Sequence, residues 1–353
     1  MIRSIPLLFC CFLLSGCAEQ QIVDRIKLIQ SIGNDPHGDA IKVTATYLAY
    51  EKKARMLLLE GDVKSYGEVY TPFASQTDHP IASGQLKTVV INEKLARRGI
   101  SAVATGIVRD PLISNRAKIV LTPDQASDIL AESLNYPPAY LSRLVEQNMR
   151  YENTPNTNGH LFLDQYFGAG QDVFLPVLTK DGKGALRMDG VGVFRGDRLK
   201  LLLNNEQALF IKLLKEKDVE VRSSRYSFKN EQNKLISFRI IHSAHKVTVH
   251  NESALISLKL DIDLGDYPAN LNVILIDRDM REVKEQIERR LAADMKAILE
   301  NFQKNEVDPV GIGNLYRAHH RGWNEQTFYA RQYPNLKFEV RTEVKIQLLG
   351  VGH

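Results

Sequence analysis

The chain is 353 residues long, 44% hydrophobic and 25% charged, a globular composition that excludes a disordered or fibrous polypeptide. Its formal net charge of +4 arises from 46 basic and 42 acidic residues mixed along the sequence, so no basic arm for nucleic acid stands out. All three cysteines, Cys10, Cys11 and Cys17, lie near the start, so the body has no disulfide framework and must be held by a core.

The opening MIRSIPLLFCCFLLSGCAEQ has the parts of a secretory signal: Arg3 as a positive start, Ile5 to Leu14 as a short apolar run, and Ser15-Gly16 as small residues. The run is about half of the roughly twenty residues needed to span a bilayer, so it does not read as a transmembrane anchor. An ordinary cleaved signal with an incidental cysteine is one interpretation. The arrangement favours another: Leu14-Ser15-Gly16-Cys17 resembles the lipobox of bacterial lipoproteins, in which the cysteine thiol takes a diacylglycerol and the chain is cut just before it. Residues 1–16 are then a lipoprotein signal peptide, Cys10 and Cys11 leave with it, and Cys17 is the lipid-attachment residue. Two acyl chains anchor stably where one is marginal, since each buried methylene contributes about 0.8 kcal/mol.

After a polar lead, Ile41 to Tyr50 alternates with a strand's period of two. Residues 61–77 are ambiguous between helix and loop. Lys87 to Ile91 reads as a short strand, followed by a helix that Asn92 caps and Gly99 stops. Lys118 to Leu121 is again strand-like. Thr122-Pro123-Asp124 predicts a helix start, with Pro and a carboxylate in the first turn, and Pro137-Pro138 opens a further helix towards Arg150. The polar stretch Glu152 to His160 reads as a mobile loop. Strands resume at Val173, Arg187 to Leu199 forms a hairpin turning at Gly196-Asp197, and a helix covers Asn205 to Lys215.

The last third is the clearest. Leu235 to Val249 and Ala254 to Leu264 are long strands. Past Asp277 and Asp279, the residues Met280, Val283, Ile287, Leu291, Met295, Ile298 and Phe302 form the apolar stripe of one long helix. Leu336 to Leu348 alternates throughout, with Leu336, Phe338, Val340, Thr342, Val344, Ile346 and Leu348 inward. The expected class is α+β with several domains, mixed or antiparallel sheets each covered by helices, and a long amphipathic helix on an antiparallel C-terminal sheet. No second run is long enough to cross a membrane.

Motifs for chemistry are sparse. His242 and His250 would share a strand face about 27 Å apart with His245 on the other, which suits no metal site. His319 and His320, being adjacent, diverge on a helix. Asp261-Ile-Asp263-Leu-Gly265-Asp266 begins like a calcium loop, but Gly265, Asp266 and Asn272 stand where ligand, tight-turn glycine and closing glutamate belong, so a solvated strand end is expected. Gly311-Ile-Gly313 lacks the third glycine of a dinucleotide loop and reads as a turn before a helix. No nucleophile elbow, zinc-protease motif or phosphate loop occurs.

Several weaker motifs together resemble the Ger(x)C family, the lipoprotein C subunits of spore nutrient germinant receptors. They are the lipobox ending at Cys17; Val90 to Ile100 followed by Arg109; Ala126 to Leu130; Gly190 to Leu199; Val307-Asp308-Pro309-Val310-Gly311-Ile312-Gly313; Tyr316-Arg317; Trp323; and the final strand to Gly350. Ala18-Glu19 replaces the usual Trp-Asp after the cysteine, Phe328 or Tyr329 replaces a second tryptophan, and Tyr333 replaces a phenylalanine. The resemblance implies a non-enzymatic protein without cofactor or metal, on the outer leaflet of the spore inner membrane. Its partners would be the integral-membrane A and B subunits, with no nucleic acid involved. Gly311 and Gly313 would serve backbone turning, and Trp323 would pack in a core. The alternatives are a lipid-anchored solute-binding protein that captures the germinant itself, and an envelope hydrolase with a polar cleft of paired titratable groups. The expected units are residues 18–180 as an N-terminal α+β domain, 181–225 as a hairpin plus helix, and 226–353 as a C-terminal α+β domain.

Overall fold

The computed structural model describes residues 26–50, 54–268 and 277–347. Cys17 and the signal lie outside them. Nine strands form the first sheet: β1 (Lys27–His37), β2 (Ala40–Tyr50), β3 (Ala54–Val63), β4 (Ile81–Ala82), β5 (Thr88–Asn92), β6 (Lys118–Thr122), β7 (Phe174–Lys180), β8 (Leu186–Arg195) and β9 (Arg198–Leu203). Their order is β3-β2-β1-β5-β6-β7-β8-β9, with β4 beside β1. The centre, β1-β5-β6-β7, is parallel, and both flanks are antiparallel.

Parallel strands need crossovers, and helices supply them. Short α1 (Thr71–Ala74) precedes β4; α2 (Glu93–Arg98) and α3 (Ser101–Arg109) link β5 to β6; α4 (Ala126–Ser133), α5 (Tyr140–Tyr151) and α6 (Gly159–Phe167) link β6 to β7. Strand periodicity explains why β5 is buried throughout. Val89 and Ile91 face a core with Leu95, Val103, Ile107 and Phe162, while Val90 faces one with Ile129, Leu130, Leu141 and Val145. As expected, Asn92 caps α2 by accepting the Lys94 amide at 2.8 Å.

Helix α4 begins at Ala126, three residues after the expected Pro123 start. Asp124 is used elsewhere, accepting from Thr179 Oγ1 at 2.9 Å and the Lys180 amide at 3.1 Å. The cap comes instead from Asp35 on β1, whose carboxylate accepts the Ala126 and Ser127 amides at 2.7 and 2.9 Å. Strand β1 itself lay in the polar lead, and β3 was likewise unforeseen.

The second sheet has β10 (Tyr226–Lys229), β11 (Leu235–Val249), β12 (Ser253–Asp266) and β13 (Lys337–Gln347) in that order. Between β9 and β10 lies α7 (Asn205–Lys215), which starts with a capping box between Asn204 and Gln207. The long helix α8 (Asp277–Lys304) buries Val283, Ile287, Leu291, Met295, Ile298 and Phe302, the expected stripe, against this sheet. One feature of the C-terminal sheet needs correction: β13 runs parallel to β12, so the sheet is mixed. Alternation fixes a strand's faces but not its direction, and the return by way of α8 sets the direction here. Glu288 of α8 covers the outer edge of β13, accepting the Val344 amide at 2.8 Å, while its carbonyl accepts from Thr342 Oγ1 at 2.6 Å. The core beneath α8 also takes in Val191, Val193 and Leu203 of the first sheet and the apolar side of α7.

Residues 152–160 do not form the mobile loop their polarity suggested. Asn153, Thr154, Pro155, Thr157 and Gly159 are buried. Lys212 of α7, 1% exposed, donates to the carbonyls of Met149 and Thr154 and pairs with Glu216 at 3.6 Å. Glu216 accepts the Asn156 amide, and Asn158 caps α6. Burial lowers the Lys212 pKa and raises that of Glu216, yet the contacts keep every partner satisfied. Lys212→Met should therefore lower the unfolding free energy by about 2–4 kcal/mol, because two buried carbonyls and a half-buried carboxylate lose their donor. Urea titration of wild type and variant measures the difference.

Candidate functional site

The described residues that the sequence singled out near the C-terminus converge on one place. Helix α9 (Ile312–His319) starts after Gly311, which sits at φ 83°, where a side chain is strained. Helix starts leave amides without intrahelical partners. Asp308 supplies them from outside: Oδ1 accepts the Gly311 and Ile312 amides at 2.8 and 2.9 Å, and Oδ2 accepts the Gly313 amide and the Tyr329 hydroxyl at 2.8 and 2.9 Å. The negative charge also suits the helix dipole.

From the first half comes the loop before β7. Asp172 Oδ2 accepts the Asp308 amide at 2.7 Å, and the Asp172 amide returns a bond to the Asp308 carbonyl at 2.9 Å. Arg195, at the tip of the β8-β9 hairpin, lies 3.3 Å from Asp172 and places its guanidinium 4.3 Å from the centre of the Tyr329 ring. Gly170 donates to Glu325 at 2.8 Å, and its carbonyl accepts the Asn314 amide at 2.7 Å. Beside these groups opens a cleft of about 610 Å³, whose polar lining includes Gln165, Gln171, Asp172, Arg195, Glu325 and Tyr329.

Gly313 has a different purpose from the turning expected of it. A Cβ there would meet the Tyr329 hydroxyl at 2.6 Å and the Gly170 backbone at 3.1 Å, so the residue permits two backbones to touch. Gly170, at φ 87°, is its counterpart, with a Cβ that would lie 2.6 Å from the Asn314 nitrogen. The aromatic substitutions are also used chemically. Phe328 and Tyr333 are buried, and the Tyr333 hydroxyl, which phenylalanine would lack, donates to the Val307 carbonyl at 2.8 Å. Trp323 is only half-buried, beside Phe328 and under Arg317.

The electrostatics follow from burial. Asp172 is pushed up to about 6 by burial, with Arg195 pulling the other way. Burial also raises Asp308 against its four donors, and burial with the two neighbouring carboxylates raises Tyr329. The cleft can offer a small polar molecule hydrogen bonds from side chains such as Gln165, Gln171 and Arg195. Asp308 offers no free lone pair of its own to the cleft, because all its acceptor positions are taken.

Other candidates are scattered. His242 pairs with Asp218 at 2.8 Å, His245 is partly buried, and His320 stacks on Tyr316 while its Nε2 meets Asn251. Asp261, Asp263 and Asp266 bond separately to Gln347, Arg239 and Ser237. Among the described residues no three His, Cys, Asp or Glu side chains gather as a metal set. Asp172 was missed, since nothing local marks a carboxylate that works 136 residues away; the glycines at 168 and 170 ahead of a strand were the available hint.

Comparison with known proteins places this architecture among the spore germination proteins. Residues 19–180 match the family described as spore germination protein N-terminal domain, and residues 189–350 match spore germination B3/GerAC like, C-terminal. The spore germination protein GerQC of Bacillus cereus is 26% identical over 370 aligned positions, covering 99% of both chains. The crystal structure of the GerBC protein shares the fold, with a TM-score of 0.57 at 15% identity over 89% of this chain and 96% of that one. The chain belongs to the Ger(x)C family of spore germination proteins.

Two outcomes test the junction. Gly170→Ala, which combines a strained φ with a backbone clash, should destabilise the protein by about 2–4 kcal/mol in urea unfolding. Asp172 gives a pH signature. A carboxyl whose folded pKa is raised binds its proton better when folded, so its penalty is absent below about pH 4 and grows as pH rises to about 6. Between pH 4 and 6 the wild type should lose about 2–3 kcal/mol more stability than Asp172→Asn, measured by urea unfolding at each pH.

Proposed function

We propose that this protein is the non-catalytic, lipid-anchored C subunit of a nutrient germinant receptor, needed with integral-membrane A and B subunits for nutrient-triggered spore germination. Cys17 carries the diacylglycerol, residues 1–16 are removed, and the body lies on the outer leaflet of the spore inner membrane. The body comprises residues 18–180, 181–225 and 226–353. The observation that carries this is the Leu14-Ser15-Gly16-Cys17 sequence directly ahead of a chain that matches the family in both halves. Among the described residues no helix is long and apolar enough to cross a membrane, which is compatible with attachment by lipid.

Cys17→Ala should release the protein from the inner-membrane fraction of spores and weaken the nutrient response. Retention in that fraction with an unchanged response would refute the anchor.

The polar cleft beside Asp172 and Arg195 favours a second possibility, capture of the germinant by this chain itself. Calorimetric titration of residues 18–353 with amino acids and sugars separates the two. The subunit role expects no saturable heat, and direct capture expects it.

A further inference from the structure

We propose that the edge of the first sheet where β1 begins is the face that rests on anionic phospholipid, through Lys87, Arg109, Arg116 and Leu112. The proposal deepens, and rests on, the assignment of Cys17 as the lipid anchor.

Chain length sets the search. Ten residue steps lead from Cys17 to Lys27, and each spans at most about 3.3–3.6 Å, so the start of β1 stays within about 35 Å of the anchored cysteine. At that start the Lys27 amide bonds to the Pro80 carbonyl at 2.8 Å, and Lys27 pairs with Ile81 of β4. Strands β1, β5 and β6 run parallel, so they begin on one edge. Lys87 stands just before β5 and Lys118 opens β6, joined by a bond from the Lys118 amide to the Lys87 carbonyl at 2.8 Å. The loop from the end of α3 back to β6 completes this edge.

That loop is chemically suited to a lipid interface. Val108 and Leu112 are 51% and 55% exposed, and Pro111 is exposed between them. Lys87, Arg109 and Arg116 are exposed and form no ion pair among the described residues. The nearby carboxylates are already engaged. Asp78 pairs with Lys27 at 3.1 Å, and Asp110 accepts from the Tyr70 hydroxyl at 2.8 Å, the Ser83 hydroxyl at 2.7 Å and the Leu112 amide at 2.9 Å. Those bonds to Asp110 fasten the loop to the segment beside β4, so Leu112 is held out into water by structure. Exposed apolar side chains ringed by free cations are the pattern that inserts shallowly into a negatively charged bilayer surface. Screening confines the cations to partners within about 10 Å at 0.1 M salt, so they act only where this face meets the headgroups themselves.

The test uses the acylated chain in protein-free vesicles of phosphatidylglycerol and phosphatidylcholine that carry a headgroup-level nitroxide lipid. Cys10 and Cys11 leave with the signal and Cys17 is alkylated, so Leu112→Cys and Asp39→Cys each give one labelling site for a fluorophore. Asp39 lies in the turn after β1, some eleven residues and about 35 Å further along the strand direction. Quenching at position 112 should exceed that at 39 severalfold, and Arg109→Glu with Arg116→Glu should reduce it at least twofold. Equal or reversed quenching, or indifference to the charge reversal, would overturn the proposal and leave this edge to a protein partner. Vesicle sedimentation in the same samples reports the anchor separately. A chain that stays with the vesicles yet shows no quenching at 112 refutes only the orientation, whereas a chain that does not sediment refutes the anchor and the orientation together.

Discussion

Beside the apolar core that the two sheets share, one buried carboxylate ties together the segments that meet between them. A charge out of water is tolerable only when hydrogen bonds replace its hydration, and Asp308 has four donors: three amides at the start of α9 and the Tyr329 hydroxyl. Each donor fixes a piece of backbone or ring. The Asp308 amide is in turn held by Asp172, and Asp172 by Arg195. Three segments far apart in sequence are thereby set at defined distances. The glycines at 170 and 313 are the steric condition for this, since backbones bonded at 2.7 Å leave no room for a Cβ.

The parts of the fold legible in the sequence are those in which one periodicity dominates. Helix α8 and strand β12 have continuous apolar stripes, and their bounds, like those of β11, fall within a few residues of the pattern. Strand β1 was illegible because it carries Gln30, Ser31, Asn34 and Asp35 into the interior. These side chains interrupt the alternation, and two of them work for distant segments: Asn34 donates to the Val90 carbonyl at 3.1 Å, and Asp35 caps α4. The same reason explains the loop at 152–160, which looked solvated but whose backbone is held from inside by Lys212, at the Thr154 carbonyl, and by Glu216, at the Asn156 amide. A polar residue's partner, when it lies sixty or ninety positions away, leaves no local signature.

The candidate site divided in the same way. Its C-terminal half, Val307 to Gly313 with Tyr316 and Trp323, was visible as a motif, although the purpose of Gly313 was not. Its N-terminal half, Gly170 and Asp172, was invisible. Arg195 lay inside a recognised hairpin segment without any indication that its side chain would reach Tyr329. Cys17, by contrast, rests on sequence alone, because its meaning is chemical rather than geometric.

Two carboxyls and a tyrosine with raised pKa values beside a polar cleft are the features by which catalytic sites are often sought. Structural networks produce the same shifts, so the deciding question is which atoms remain available. A general base needs a lone pair directed at a substrate proton. Both Asp308 oxygens accept two bonds each, and the Tyr329 hydroxyl donates inward to Asp308. Asp172 faces Arg195 and the Asp308 amide. The shifts therefore record the electrostatic strain of joining two sheets through a dehydrated contact. The contact between the two sheets is thus held by hydrogen bonds whose acceptors are already engaged with one another's backbone and side chains.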